Sequence, residues 1–507
     1  MTDRLRAVTE LDLATARELA GLHEYDGRIQ DLSADGVQRA LATVKEAQEQ
    51  GKLDDPQDEA HLAAFEHSAQ VVYGDLQLHR RFPLLHQANL ELTGYERDYA
   101  PTADRAQARE RHLASWPDAV DMAVRTLDQV PAPVAQACLG AARGVAAGLD
   151  ADRSDIEAKA LQAHARFVEH IAAAAEHGPA DAALGGPALA SLLSASEAVP
   201  IDLSELGKQA DAERDRLREM LTEACARLLP GVSVADAVQR LNADHPDADG
   251  VLDEARDQTE EVLAWTKRHD LAPTDGECLV RPSPESYRWS IASLSPVAPY
   301  EPTSQTFYNI TPPDASWPED EQEGWLEVFS RTTLPAITIH EVAPGHFSHF
   351  LAMRSLTSDV RKTLHSNSFI EGWAHYCEEM ALQEGFRDDD ARYAAGVAIE
   401  GLVRVTRLAM AIALHTGALT VAEAAEQFAI NTFYGTPGNP SQAAWSEARR
   451  GTFDPTYGRY TWGKLEILAL RERARAAWGA DFGLPRFHRE LLALGSPPLG
   501  LMASLIA

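Results

Sequence analysis

Residues Ile337 to Phe350 read ITIHEVAPGHFSHF and place His340, Glu341, His346 and His349 within ten positions. Imidazole nitrogens and carboxylate oxygens are the side-chain atoms that hold a catalytic zinc, so three imidazoles and a carboxylate this close suggest a metal site. In the usual H-E-x-x-H arrangement the histidines stand four apart, one helical turn, and the intervening Glu reaches the metal's water. Here the second histidine comes six residues on. Six residues turn an ideal helix through about 240°, which aims the two rings apart. Pro344 and Gly345 offer a way out. Pro344 lacks the N–H that would bond the His340 carbonyl, and Gly345 tolerates backbone angles closed to other residues. A kink or bulge there is expected to swing His346 back beside His340. His346 and His349, three apart, could instead chelate from one regular helix, which keeps His349 as a reserve ligand or a supporting group.

Twenty-five residues past His346 the sequence FIEGWAHYCEEM sets Glu371, His375 and Glu378 at i, i+4 and i+7, one face of a helix. A solvated polar face would explain such a pattern taken alone. Ile370, Trp373 and Ala374 argue for partial burial, where a carboxylate must be paired or bound to metal.

These segments need rigid elements to hold them. From the start to about residue 270, Ala, Leu, Glu and Arg dominate and apolar residues recur three and four apart, as in Leu217, Leu221, Cys225 and Leu228 before Pro230 and Gly231. Ser233 with Asp236, and later Thr420 with Glu423, read as helix starts. The Gly178 to Pro187 gap reads as a helix connector. Around 275–315 proline becomes frequent, and Ser286 to Ile291 and Thr306 to Ile310 carry aromatic and β-branched residues suited to short strands. Helical periodicity returns from Thr332, and Phe487 to Leu494 is amphipathic. The expected fold is mostly α, a large multi-helical unit with a small β or extended insert, in which a helical part, 1–270, is continuous with a part, 271–507, that carries the chemistry.

Over its 507 residues the chain sets 46 Lys and Arg against 77 Asp and Glu, a net charge of −31, which repels phosphate backbones and anionic lipid. Nucleic acid and membrane are therefore not expected partners, and the acidic surface does not forbid a homodimer. The N-terminal stretch has no continuous apolar run and no segment approaches membrane-spanning length, so a cytoplasmic location is expected. The four cysteines are scattered without a CxxC, against a disulfide framework or a thiolate zinc site. There is no G-x-S-x-G elbow for a serine hydrolase.

Three strings, HEVAPGH at 340–346, FIEGWAHYCEE at 369–379 and YTWGKLEILALRERA at 460–474, resemble domain-of-unknown-function family 885, whose pattern runs H-E-x-x-P-G-H, E-G-W-A-x-Y-x-E and a Y-x-x-G helix. The likeness is best over about 290–507. That family is similar in fold to the Taq-type thermostable carboxypeptidases, helical zinc peptidases with a long substrate groove, one wall of which the N-terminal half would form. The resemblance implies His340, His346 and Glu371 as ligands of one zinc ion and Glu341 as the catalytic carboxylate. It also matches His415 in ALHTG. Phe347 and His349 depart from it, standing where the family commonly has His and Gln.

The expected activity is carboxypeptidase-like hydrolysis of a peptide or small amide by a metal-activated water, with Glu341 as general base. Tyr457, Tyr460 and His415 are candidates for stabilising the oxyanion. Arg404, Arg407 and Arg459 are candidates for a substrate carboxylate. His349, His375 and Glu378 would support the ligands. Iron, manganese or cobalt also suit two His and one carboxylate. The alternatives are a metal-dependent amidohydrolase and a non-catalytic helical binding protein with a structural metal site. A structural site normally closes four protein ligands and has no use for a free Glu341 beside it.

Overall fold

The apolar stripe read from Leu217, Leu221 and Cys225 is buried to within 2% on the helix Leu203–Leu228, which packs lengthwise against the helix Ala391–His415. A computed structural model describes residues 1–284, 288, 290–302 and 305–506. It is 67% helical with few strands, so the mostly α expectation holds. Ser233 caps the helix Val234–Asn242, and Thr420 with Glu423 forms a full capping box. Gly178 to Gly185 joins the helices Asp155–His177 and Gly186–Glu197, as a connector should.

The small insert is a sheet of three strands, β1 (Cys278–Pro282), β2 (Ala292–Ser295) and β3 (Thr306–Ile310), in the order β1-β3-β2. β3 pairs parallel with β1 and antiparallel with β2, so that Val280 and Leu294 flank Tyr308. Thr306 to Ile310 is thus the expected strand. Half of the other expected strand, Ser286 to Ile291, falls outside the described residues, and β2 begins just after it. Fully buried Tyr308 extends its hydroxyl to Thr338 at 3.4 Å, which ties the sheet to the His340 helix.

The largest apolar core draws side chains from both sides of residue 270, from Leu189 to Met502. A second core, around Trp116, Phe167 and Ile171, lies in the N-terminal half. Two crossings set the region around His340 and Glu371. The helix Asn367–Gln383 meets the helix Arg459–Trp478 at Gly372 and Gly463, where a Cβ on Gly372 would stand 2.5 Å from the Gly463 Cα. Only glycines let these backbones approach so closely. Gly396 similarly seats the Ala391–His415 helix on the Thr332 carbonyl, just before the His340 helix.

Candidate metal centre

The helix Leu334–Glu341 stops one residue after His340, and a new helix, His346–Arg354, begins with His346 itself. The break is therefore two helices joined by 342–345 rather than a kink within one. Gly345 has φ of −68°, so its role is room and not a left-handed backbone. A Cβ there would lie 2.0 Å from the His340 carbonyl oxygen. Trp373 Nε1 donates to the Pro344 carbonyl at 2.9 Å, which fastens the break to the Asn367–Gln383 helix that carries Glu371.

By this route the His340 and His346 rings come to 4.7 Å between centroids, edge to face. Glu371 Oε2 lies 3.4 Å from His340 Nε2 and 3.5 Å from His346 Nε2. One ligand atom from each of the three residues falls within 4.8 Å of the others. Donors around a tetrahedral zinc at about 2.0–2.1 Å stand roughly 3.3 Å apart, and the two distances from Glu371 match that spacing. Glu371 is a quarter exposed while His340 and His346 are nearly buried, so the cluster opens outward on the Glu371 side.

Behind the ligands sits Glu378, fully buried. Its Oε1 accepts from His340 Nδ1 at 2.7 Å, and its Oε2 accepts from His375 Nδ1 at 3.2 Å and Arg404 Nη1 at 3.1 Å. A carboxylate on Nδ1 fixes the ring's tautomer and leaves Nε2 to face a metal. Burial alone would raise the Glu378 pKa, but Arg404, His375 and His340 together hold it well below the carboxylate range. Burial likewise works against charge on His340, yet bonds from Glu371 and Glu378 raise its pKa to about 9. Glu371 is burdened by burial too, and its two histidines still pull it well down. Glu341 goes the other way: burial dominates and raises its pKa. Its Oε2 is buried without a hydrogen-bond partner.

The remaining candidates separate. Tyr460 stays at the cluster, its ring stacked on His340 with centroids 6.3 Å apart. Tyr457 does not: it is fully buried and its hydroxyl donates to Glu447. His415 is remote, eleven residues and about 16 Å along the helix from Arg404, beside Gly451. His349 turns away to the Gly495 carbonyl and Ser496 hydroxyl, at 3.3 and 3.2 Å, and is no reserve ligand. Burial lowers its pKa to about 3. His375 supports the site one step removed, through Glu378. Each of the three arginines already faces a carboxylate. Arg404 bonds Glu378 and Glu400, Arg407 forks onto Glu447 at 2.8 Å through Nε and Nη2, and Arg459 bonds Asp454.

Glu400, Glu447 and Arg450 also belong to this region, which the sequence did not single out. The i, i+4 spacing of Glu400 and Arg404 was a usable signal. Nothing local marked Glu447, which arrives on the helix Gln442–Phe453. A surface cavity of about 610 Å³, lined among others by Leu271, Pro273, Leu356 and Leu492, contains none of the cluster residues.

Fold and cluster together define a mostly helical protein with a two-histidine, one-glutamate constellation held by three separate helices. The chain belongs to the family described as "Bacterial protein of unknown function (DUF885)", whose pattern matches residues 15–506 and so takes in the N-terminal half as well. Two solved structures share the fold at a TM-score of 0.78. One, described as a "putative lipoprotein of unknown function" from Shewanella oneidensis, is 20% identical, with 99% of this chain and 98% of that chain covered. The other, a "putative lipoprotein" from Colwellia psychrerythraea, is 16% identical, with 99% and 97% covered. No curated protein matches. Among the described residues no helix is long and apolar enough to cross a membrane.

Proposed function

We propose that the chain is a metal-dependent hydrolase of peptide bonds, with His340, His346 and Glu371 holding one divalent ion, taken here as zinc, and Glu341 as general base. The observation that carries this is Glu341: a buried carboxylate, next in sequence to a ligand, whose Oε2 has no protein partner. A structural site would close on a fourth protein ligand, and a buried acceptor left bare is costly unless something else uses it.

A bound divalent ion supplies Lewis acidity toward the scissile carbonyl and acidifies water. The chain's own residues do the rest. Burial makes Glu341 a stronger base than a solvated carboxylate, suited to take a proton on Oε2 from the attacking water and return it to the leaving amine. Glu378 keeps His340 oriented through Nδ1, and Arg404 keeps Glu378 ionised. Tyr460, whose ring lies beside His340, is the residue we assign to donate to the developing oxyanion.

The test is metal analysis of the purified protein together with a peptide-library digest of the parent and Glu341→Gln. Near-stoichiometric metal in both, with cleavage falling by roughly 10²–10⁴ in the variant, is expected. Equal cleavage by both proteins, or metal bound with no peptide cut by the parent, would overturn the assignment.

A further inference from the structure

Next to the metal cluster most carboxylates are fully answered. Glu447 takes Nε and Nη2 of Arg407 together with the Tyr457 hydroxyl, Asp454 takes Arg459, and Glu378 takes His340, His375 and Arg404. Glu400 is the exception. It stands one turn before Arg404 on the helix Ala391–His415, and its Oε2 lies 3.1 Å from Arg404 Nη1. That same nitrogen donates to Glu378 Oε2, also at 3.1 Å. Two carboxylates thus divide one guanidinium nitrogen, and among the described residues the Glu400 carboxylate has this one ion pair and no aligned hydrogen bond. A mostly buried carboxylate is costly unless charge or hydrogen bonds answer it. Burial raises the Glu400 pKa, with Arg404 pulling the other way and Glu378 adding to the rise, as expected where one cation serves two anions. Glu400 keeps 16% of its side chain exposed, so a further partner has access from solvent.

The carboxylate is also close to the proposed ligands. Arg404 joins it to Glu378, and Glu378 accepts from His340 Nδ1 at 2.7 Å, so two side chains separate Glu400 from His340. The rings nearby suit a cation. Tyr460 lies 6.0 Å from the Arg404 guanidinium carbon and 6.3 Å from the His340 ring. Tyr434, just before the short strand Gly435–Thr436, has its phenol pKa raised by burial first and then by the charges of Glu400 and Glu447. The face of an aromatic ring attracts an ammonium, more strongly where water is scarce.

We propose that Glu400 is a substrate-recognition residue whose carboxylate, with Tyr434 and Tyr460 near it, takes a primary ammonium of the substrate, so that the preferred substrates carry a cationic amine close to the bond that is cut. The amine is either a free N-terminus or a lysine side chain, whose four-carbon stem extends its reach. Once bound, it gives Glu400 a cation of its own and leaves Arg404 to Glu378. The choice of substrate rests on the peptide-hydrolysis proposal; ammonium binding is tested separately from it.

The full-length protein loaded with zinc, carrying Glu341→Gln to prevent turnover, is titrated calorimetrically with three peptides. These are Ala-Leu amide with a free N-terminus, its N-acetyl form, and N-acetyl-Lys-Leu amide. The titrations are repeated with Glu400→Gln and Glu400→Asp added, and the zinc content of each variant is measured. One of the amine-bearing peptides is expected to bind at least about tenfold tighter than N-acetyl-Ala-Leu amide, with the preference abolished by Gln and partly kept by Asp. Preference for the free N-terminus assigns the α-ammonium, and preference for the lysine peptide assigns the side chain; either supports the subsite. Equal binding of all three, or a preference untouched by Glu400→Gln, as direct bonding of the amine to zinc would give, overturns it. If Glu400→Gln loses its zinc, Glu400→Asp decides: a reduced preference supports the subsite and an undiminished one overturns it. Digestion of the same peptides by the parent protein reads hydrolysis independently: intact peptides alongside an intact amine preference would remove the enzyme proposal and leave the subsite.

Discussion

Glu378 and Glu379 are neighbours on one helix, both almost wholly buried, and they end in opposite surroundings. Successive helical residues point about 100° apart, so the two carboxylates face different partners. Glu379 meets Lys464 and Arg216, and Lys464 also meets Glu213, joining three helices by a network in which no charged atom is left bare. Around Glu378 the satisfaction is incomplete: His346 Nδ1, His375 Nε2, Arg404 Nε and Glu341 Oε2 are all buried without partners. Buried polar atoms are nearly always paired in native proteins, and exceptions ask for a reason. The contrast is between these two neighbourhoods: the Glu379 network is closed, while the four bare atoms near Glu378 belong to residues in and around the proposed metal centre, and bare atoms elsewhere, such as Trp116 Nε1 and both His61 nitrogens, belong to no such cluster among the described residues.

The comparison breaks most easily at Lys464. Lys464→Met should leave Glu213 and Glu379 buried with Arg216 as their one remaining cation, costing about 3–5 kcal/mol of stability in urea unfolding. Metal bound per folded molecule should not change. A variant as stable as the parent would show that the network is not a scaffold. At the cluster, Glu378→Gln removes the charge behind His340 and should weaken metal binding about 10–100-fold in a chelator competition. The unfolding free energy of the metal-free protein should change less than in Lys464→Met. Between the two regions lies the glycine crossing. Gly372→Ala pushes a methyl to 2.5 Å from the Gly463 Cα and should cost about 1–3 kcal/mol in thermal unfolding, with looser metal binding as Glu371 shifts. Unchanged stability would mean the helices can part without cost.

Spacing drew attention to the candidate cluster, because its residues come in two short stretches whose side-chain chemistry is unusual, while the choice of His340, His346 and Glu371 as a set came from the family resemblance. The need for a break at Pro344 and Gly345 followed from helix geometry. That the break makes two helices, and that Gly345 is needed for its closeness to the His340 carbonyl, are tertiary facts with no local signature. Ser233, Thr420 and the Leu217 stripe were legible for the same reason: caps and periodicity are written within one turn or two. Arg404, Arg407, Arg459, Tyr457 and His415 fared differently. Their types suited the chemistry, but whether a guanidinium is free depends on which carboxylate a distant helix brings to it. Glu447 and Asp454 could not be assigned to these arginines from sequence. Glu378 was placed correctly on the ligand-bearing face, while its bond to His340 waited for the packing of two helices.

The remaining expected effects are those of pH, and their signs sharpen the same contrast. Burial opposes charge on Glu379, but Lys464 and Arg216 overcome it and lower its pKa from the ordinary 4.5 to about 2. Its stabilising contribution is therefore present above about pH 4.5 and is lost as pH falls through 2. Glu197, at the end of the Gly186–Glu197 helix, is buried against neutral donors instead, the Ser366 hydroxyl and the Leu499 N–H. Burial raises its pKa to about 7. Folding then favours the protonated form, so its contribution is complete below about pH 4.5 and disappears as pH rises through 7. In paired unfolding titrations, the stability gap between the parent and Glu379→Gln should narrow only on the acid side. The gap between the parent and Glu197→Gln should move between pH 4.5 and about 8, with the parent losing ground as the pH climbs. Parallel curves for Glu197→Gln across that window would mean that Glu197 is ionised in the native state throughout, and that neutral donors suffice where Glu379 is given two cations.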